Sequence, residues 1–143
     1  MRRWIIATFL AALSLTFLAA ADHAEAGVRV QIDRATQTMA VIVDGIRRYT
    51  WPVSTGRRGY GTPAGVFHPQ MLAARWFSHV YYNAPMPHAI FFRGGFAIHG
   101  SYEISRLGGP ASHGCVRLHP NDAAVLFDLI QREGMRNTTI VVQ

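Results

Sequence analysis

Only one stretch of this chain, Pro120 to Glu133, carries apolar residues at helical spacing; every other patterned segment is short and strand-like. Ala123, Leu126, Phe127 and Ile130 follow the i, i+3, i+4, i+7 rhythm of a buried helix face. Pro120 suits a first helical position, Asp122 the first turn and Gly134 the stop. Elsewhere the period is two or too short to read. Val28 to Asp33 alternates apolar and polar side chains as a half-buried strand does. Thr38 to Val43 is a second β-rich run beyond the turn-prone Arg34 to Gln37. Asp44-Gly45 is a hairpin signal, and Ile46 to Val53 returns as a third strand, Pro52 placing its end at an edge. A three-strand meander therefore opens the domain. Trp76 to Tyr82 and Ala89 to Arg93 read as short aromatic-rich strands with Pro85-Met86-Pro87 looping between them. Phe96-Ala97-Ile98 is a strand that delivers His99 at its end, and Thr138 to Val142 closes the chain as a strand. The expected class is mainly β with one packed α-helix near the C-terminus.

The N-terminus is not part of that pattern. Arg2 and Arg3 precede an uncharged apolar run, Trp4 to Ala21, and Ala24-Glu25-Ala26 supplies the small residues of a cleavage site. This is the order of a secretory signal peptide over residues 1–26, with export to the periplasm as its consequence. An uncleaved anchor is the competing reading, since about 18 to 20 apolar residues suffice to span a bilayer. No cysteine stands at the cleavage site to carry a lipid. Residues 27–143 are enough for one domain, and they contain no second span, no linker and no repeat.

That segment holds twelve Arg, no Lys and six acidic residues, a net charge of +6. Export and the scatter of the arginines argue against nucleic acid as the partner. Guanidinium pairs bidentately with carboxylates, so peptide carboxylates or an anionic wall polymer fit better. Arg57, Arg58 and Arg93 are candidates, although most of the arginines read as solubilising surface charge. The glycine-rich loop Ser54 to Gly65 lacks the Gly-Lys-Ser/Thr ending of a phosphate cradle.

Cys115 is the single cysteine of a chain bound for an oxidising compartment, so no internal disulfide is possible. Its surroundings point to chemistry: His99-Gly100-Ser101, then Ser112-His113-Gly114-Cys115-Val116-Arg117. An unperturbed thiol is only a few per cent ionised at neutral pH and needs an imidazole to take its proton. His113 is too close in sequence for an easy pairing, whereas His99 arrives on a separate strand; His99 is therefore the expected general base and acid. Gly114 permits backbone conformations that would aim the amides of residues 113 to 115 at an oxyanion. His113 would shape that turn or polarise the bound carbonyl. A carbonyl from Gly100 or Ser101 would set the His99 tautomer. Arg117 would grip a substrate carboxylate or brace the loop, and Ser112, Gly100 and Ser101 complete the expected substrate-binding set.

These same residues resemble the L,D-transpeptidase catalytic domain family. The likeness rests on His99 followed thirteen positions later by Ser112-His113-Gly114-Cys115, with Arg117 where that family commonly has Arg or Asn. It extends to Pro52-Val53-Ser54-Thr55-Gly56, Gly61-Thr62-Pro63-Ala64-Gly65, Met86-Pro87 and Ala97-Ile98-His99-Gly100, and so covers about Val28 to Val142. His88 and His119 are departures. The resemblance implies an L,D-transpeptidase-like β-sandwich and no cofactor. It also implies acyl transfer on peptidoglycan stem tetrapeptides, with release of D-alanine and formation of diaminopimelate cross-links. Hydrolysis as a carboxypeptidase or amidase, or attachment of a lipoprotein, are the alternatives on the same fold. Two rivals stand outside it: zinc held by His99, His113, Cys115 and His119, whose spacing matches no zinc motif, and a wall-binding module with an inert thiol. Trp51, Trp76, Phe91 and Phe92 are assigned to the core, Tyr81 and Tyr82 to a lid over the groove, and His68 and His79 to surface or structural roles. Neither the acyl acceptor nor the oligomeric state is legible.

Overall fold

A computed structural model describes residues 26–143. The expected apolar run and all of the expected signal segment but Ala26 lie outside the described residues. Among the described residues no helix is long and apolar enough to cross a membrane.

The meander forms as expected: β1 (Val28–Asp33), β2 (Thr38–Val43) and β3 (Ile46–Pro52) are successive antiparallel neighbours. Asp44 and Gly45 both take positive φ, 49° and 78°, which is what a two-residue hairpin turn requires. The C-terminal strand β9 (Thr138–Val142) then pairs parallel to β1, Val30 opposite Ile140. A short strand, β4 (Gly65–Phe67), covers its far edge. The resulting sheet runs β3-β2-β1-β9-β4. A second sheet contains β5 (Met71–Ala73), β6 (Ala89–Arg93), β7 (Phe96–Gly100) and β8 (Val116–Leu118) in that order.

Alternation decides what lies between the sheets. Val30, Ile32, Val41 and Ile140 from the first, and Ile90, Phe92, Ile98, Val116 and Leu118 from the second, meet in one buried cluster. Helix α1 (Pro120–Glu133) presses Ala123, Leu126, Phe127 and Ile130 into the same cluster. Its N-cap is His119, whose ring accepts from the Asn121 amide, and Gly134 ends it at φ 95°. This is a β-sandwich with one packed helix.

Two expectations need correction, and three short strands were not anticipated. Trp76 to Tyr82 is no strand: it holds a single bridge, Phe77 to Pro85, and then turns through Tyr82 and Asn83 at φ 53° and 51°. Its aromatic residues have no sheet to pair with, and Tyr82 at the tip is 99% exposed. The strand carrying His99 does not stop at Ile98, so His99 lies within β7. β4, β5 and β8 escaped notice because three residues display no period.

Candidate active site

The site grows from the parallel pairing of β7 with β8. Ile98 stands opposite Val116 and His99 opposite Arg117. Because Ile98, Val116 and Leu118 enter the core, His99, Cys115 and Arg117 must project from the outer face. Cys115 and His99 are thus diagonal neighbours across two strands, a separation that a long side chain bridges. A second, smaller cluster of Met86, Ala89, Phe91 and Ala97 lies on this outer face, with Trp76 and Cys115 against it. Residues 76–87 arch above as a narrow arm, tied at its base by Met86 N–H to the Trp76 carbonyl (2.8 Å) and Ser78 N–H to Ala84 (2.9 Å). Beneath it is a cavity of about 480 Å³ whose wall includes Cys115, His99, His113, Arg117, Trp76 and Tyr81.

Burial sets the ionisation of the pair. His99 is 6% exposed, and its Nδ1–H donates to the Gly100 carbonyl at 2.7 Å. A carbonyl can only accept, so the ring's lone pair is at Nε2. Burial drives the His99 pKa down to about 4, the Gly100 carbonyl opposing this and the Arg117 charge adding to it. Burial also pushes the Cys115 thiol up, against the pull of the Ala97 amide and the Arg117 charge. At neutral pH the resting pair is therefore thiol and neutral imidazole. The thiol leans on the Gly95 carbonyl, 3.8 Å from Sγ.

The turn carrying Cys115 is held from within and from below. Ser112 Oγ donates to the Cys115 carbonyl (2.5 Å) and accepts from Gly114 N–H (3.0 Å). Thr62 Oγ1 donates to the Gly114 carbonyl (2.8 Å) and accepts from Gly56 N–H (2.9 Å). Gly114 sits at φ 125°, and a Cβ there would lie 2.5 Å from the Phe96 ring. No other residue fits. The Gly114 amide and the Ser112 hydroxyl are thus bonded within the turn, while Ser112 also lines the cavity; of the amides expected to face an oxyanion, those of His113 and Cys115 are not engaged by Ser112.

His113 is not paired with Cys115. Its ring stacks on Tyr81 of the arm (4.0 Å, 12°) and meets Tyr60 edge-on (4.9 Å). Arg57 donates to its Nε2 at 3.0 Å while lying 4.7 Å over the Tyr60 ring. Burial, then Arg57 and Arg117, lower the His113 pKa, which keeps the ring neutral with its hydrogen at Nδ1.

Among the remaining expected residues, Ser101 and Arg117 line the cavity, whereas Gly100 lies outside its wall. Gly100 is packed so that a Cβ would meet Pro87 at 3.0 Å and Pro120 at 3.1 Å; it serves His99 through its carbonyl. Ser101 Oγ accepts from Glu103 N–H. Arg117 Nη1 reaches Glu103 at 3.0 Å, and Arg106 approaches the same carboxylate at 3.5 Å. Arg57, Arg58 and Arg93 are not part of the cavity wall. Phe91, assigned to the core, is buried in the second cluster as expected, and Trp76 packs partly buried against it; both also line the cavity. Thr62 and Tyr60 were missed, since neither lies near the cysteine in sequence. The zinc reading loses His119 to the helix cap, and among the described residues no three His, Cys, Asp or Glu side chains group to hold a metal.

With this geometry in hand, the chain belongs to the L,D-transpeptidase catalytic domain (YkuD) family, whose model matches residues 27–142. The L,D-transpeptidase from Mycobacterium smegmatis is similar with a TM-score of 0.74 at 26% identity, over 82% of this chain and 59% of that one. The L,D-transpeptidase from Xylanimonas cellulosilytica is similar with a TM-score of 0.70 at 30% identity, over 83% and 61%. That from Stackebrandtia nassauensis is similar with a TM-score of 0.72 at 26% identity, over 90% and 61%. This chain thus spans about three-fifths of the length of these structures. A comparison with curated proteins finds no significant match.

Proposed function

We propose that this protein is a peptidoglycan L,D-transpeptidase in which Cys115 is the nucleophile and His99 the general base and acid. The observation that carries this reading is the placement of His99 on β7 and Cys115 at the entry to β8, both on one cavity, with the His99 tautomer fixed by Gly100. Family membership supports peptidoglycan stem peptides as the substrate class; within it our reading takes a stem tetrapeptide as acyl donor and a neighbouring diaminopimelate as acceptor.

His99 Nε2 takes the Sγ proton as sulfur attacks the carbonyl carbon of the third stem residue. The negative oxygen is met by the amides of Cys115 and His113. His99, now imidazolium, passes its proton to the departing D-alanine nitrogen as the C–N bond breaks, leaving a thioester. The acceptor's side-chain amine then attacks that carbonyl, His99 removes its proton, and the Cys115 sulfur leaves and is reprotonated. The arm roofing the cavity limits water at the thioester, which favours transfer over hydrolysis. Arg117 is the cavity's guanidinium for a stem carboxylate. Residues 1–26 act as an export signal that brings the enzyme to the periplasm.

The test is intact-mass measurement after incubation with a carbapenem, together with product analysis on a purified stem tetrapeptide. Wild type is expected to gain one covalent adduct and to release D-alanine into cross-linked dimer. Cys115→Ser is expected to lose the adduct, by more than a thousandfold in rate, while retaining its fold by circular dichroism. An adduct that persists in Cys115→Ser would sink the assignment, and free D-alanine without dimer would move the reaction to hydrolysis.

A further inference from the structure

The turn bearing Cys115 hangs on a loop whose own fixed point is far from it in sequence. Gln37 lies in the turn between β1 and β2, is 5% exposed, and takes φ 55°, a left-handed conformation uncommon for a residue with a side chain. Its carboxamide spans Thr55 from both ends. Nε2 donates to Thr55 Oγ1 at 2.7 Å, and Oε1 accepts from Thr55 N–H at 2.9 Å. Nε2 also donates to the Arg34 carbonyl at 2.7 Å, and the Gln37 backbone carbonyl receives Val53 N–H at 2.9 Å. Thr55 passes the constraint on: its carbonyl accepts both Ala111 N–H and Ser112 N–H at 3.0 Å. Ser112 then holds Gly114 and Cys115 through its hydroxyl, and its own carbonyl receives Arg57 N–H at 2.9 Å.

We infer that Gln37 is a positioning residue for the nucleophile, acting through Thr55 and Ser112 without reaching the cavity. The chemistry of the contact explains the residue type. Thr55 presents a donor and an acceptor side by side, and among side chains of this reach only a primary carboxamide answers with both. Glutamate offers no donor, methionine offers neither, and asparagine is one carbon shorter. A buried network of this kind rigidifies only when every member is satisfied. Without the carboxamide, Thr55 loses its tether, and the error is handed to Ser112 and to the sulfur. Displacing a reacting atom by about 1 Å costs up to about a hundredfold in rate.

The inference rests on the function proposed above, and the experiment separates the two. Gln37→Met keeps the side-chain length and removes the bonds; Ile140→Val, in the core of the first sheet, serves as a control that weakens the fold without touching this network. The measurement is the rate of thioester formation with a carbapenem at saturation, and separately the concentration giving half that rate, well below the melting temperature of each variant. Gln37→Met is expected to slow the saturated rate about tenfold or more with little change in the half-saturating concentration. Ile140→Val should keep both values. If Gln37→Met does not fold, Thr55→Val, which deletes one of the two side-chain bonds, replaces it, and a fall of about threefold is expected. A wild type that forms a thioester while the folded variant matches its saturated rate overturns the role of Gln37. A wild type that forms no thioester overturns the transpeptidase reading and this inference with it.

Discussion

Burial strips water from the His99 imidazole, and its charged form loses most by that. The consequence is a base that stays deprotonated down to about pH 4 instead of 6.5. Thioester formation should therefore hold steady on acidification through pH 6 and fall only near pH 4, as read from carbapenem acylation rates between pH 3.5 and 8. An acid limb centred near 6.5 would mean that the free enzyme does not bury this ring. Stability carries the same signature. Below pH 6.5 the unfolded chain takes up a proton that the native state refuses until about pH 4. The contribution is complete above 6.5 and drains away between 6.5 and 4, a total of about 3 kcal/mol at 1.36 kcal/mol per pH unit. Sequence neighbours had already marked His99 and Cys115 as the pair and a carbonyl of Gly100 or Ser101 as a tautomer lock; only the fold selects Gly100. They gave no hint that the Ser112 hydroxyl would be consumed by its own turn, because that depends on how tightly Gly114 folds the chain back.

Among the elements, the arm over residues 76–87 departs furthest from its reading. Aromatic residues at near-alternate positions look like a strand, yet Phe77, Val80 and Tyr82 face solvent, and Tyr81 alone bends back to stack on His113. That stack ties the arm's tip to the wall that bears Cys115. An aromatic pair contributes about 0.5–1.5 kcal/mol, so Tyr81→Ala should let the arm open about two- to tenfold more often. The expected result is a Michaelis constant for stem peptide raised by that factor with kcat less affected; an unchanged Michaelis constant would show that closure does not depend on the stack. Long or strongly punctuated elements were legible: β1, β2, β9 and α1 occupy the residues their periodicity and caps assign. The three-residue strands were not, since pairing partners, rather than their own sequence, make them strands.

At the level of the whole molecule, the parallel seam between β1 and β9 joins the two ends of the described chain into one sheet. Ile140 is fully buried there, against residues of both sheets. Ile140→Ala should cost about 2–5 kcal/mol, measured by denaturant unfolding; a loss below 1 kcal/mol would mean that this seam contributes little to the core. Local pattern was enough to determine a mainly β domain with one helix and to single out a cysteine, a histidine and the turn between them, because period, capping and turn chemistry act between near neighbours. The tertiary structure decided the rest: which face His99 and Cys115 share, how deeply His99 is buried, that Tyr81 closes on His113, and that Gln37 supports Thr55 from eighteen residues away. Those are matters of register and packing between segments distant along the chain, and they exist only once the two sheets have closed on a common core.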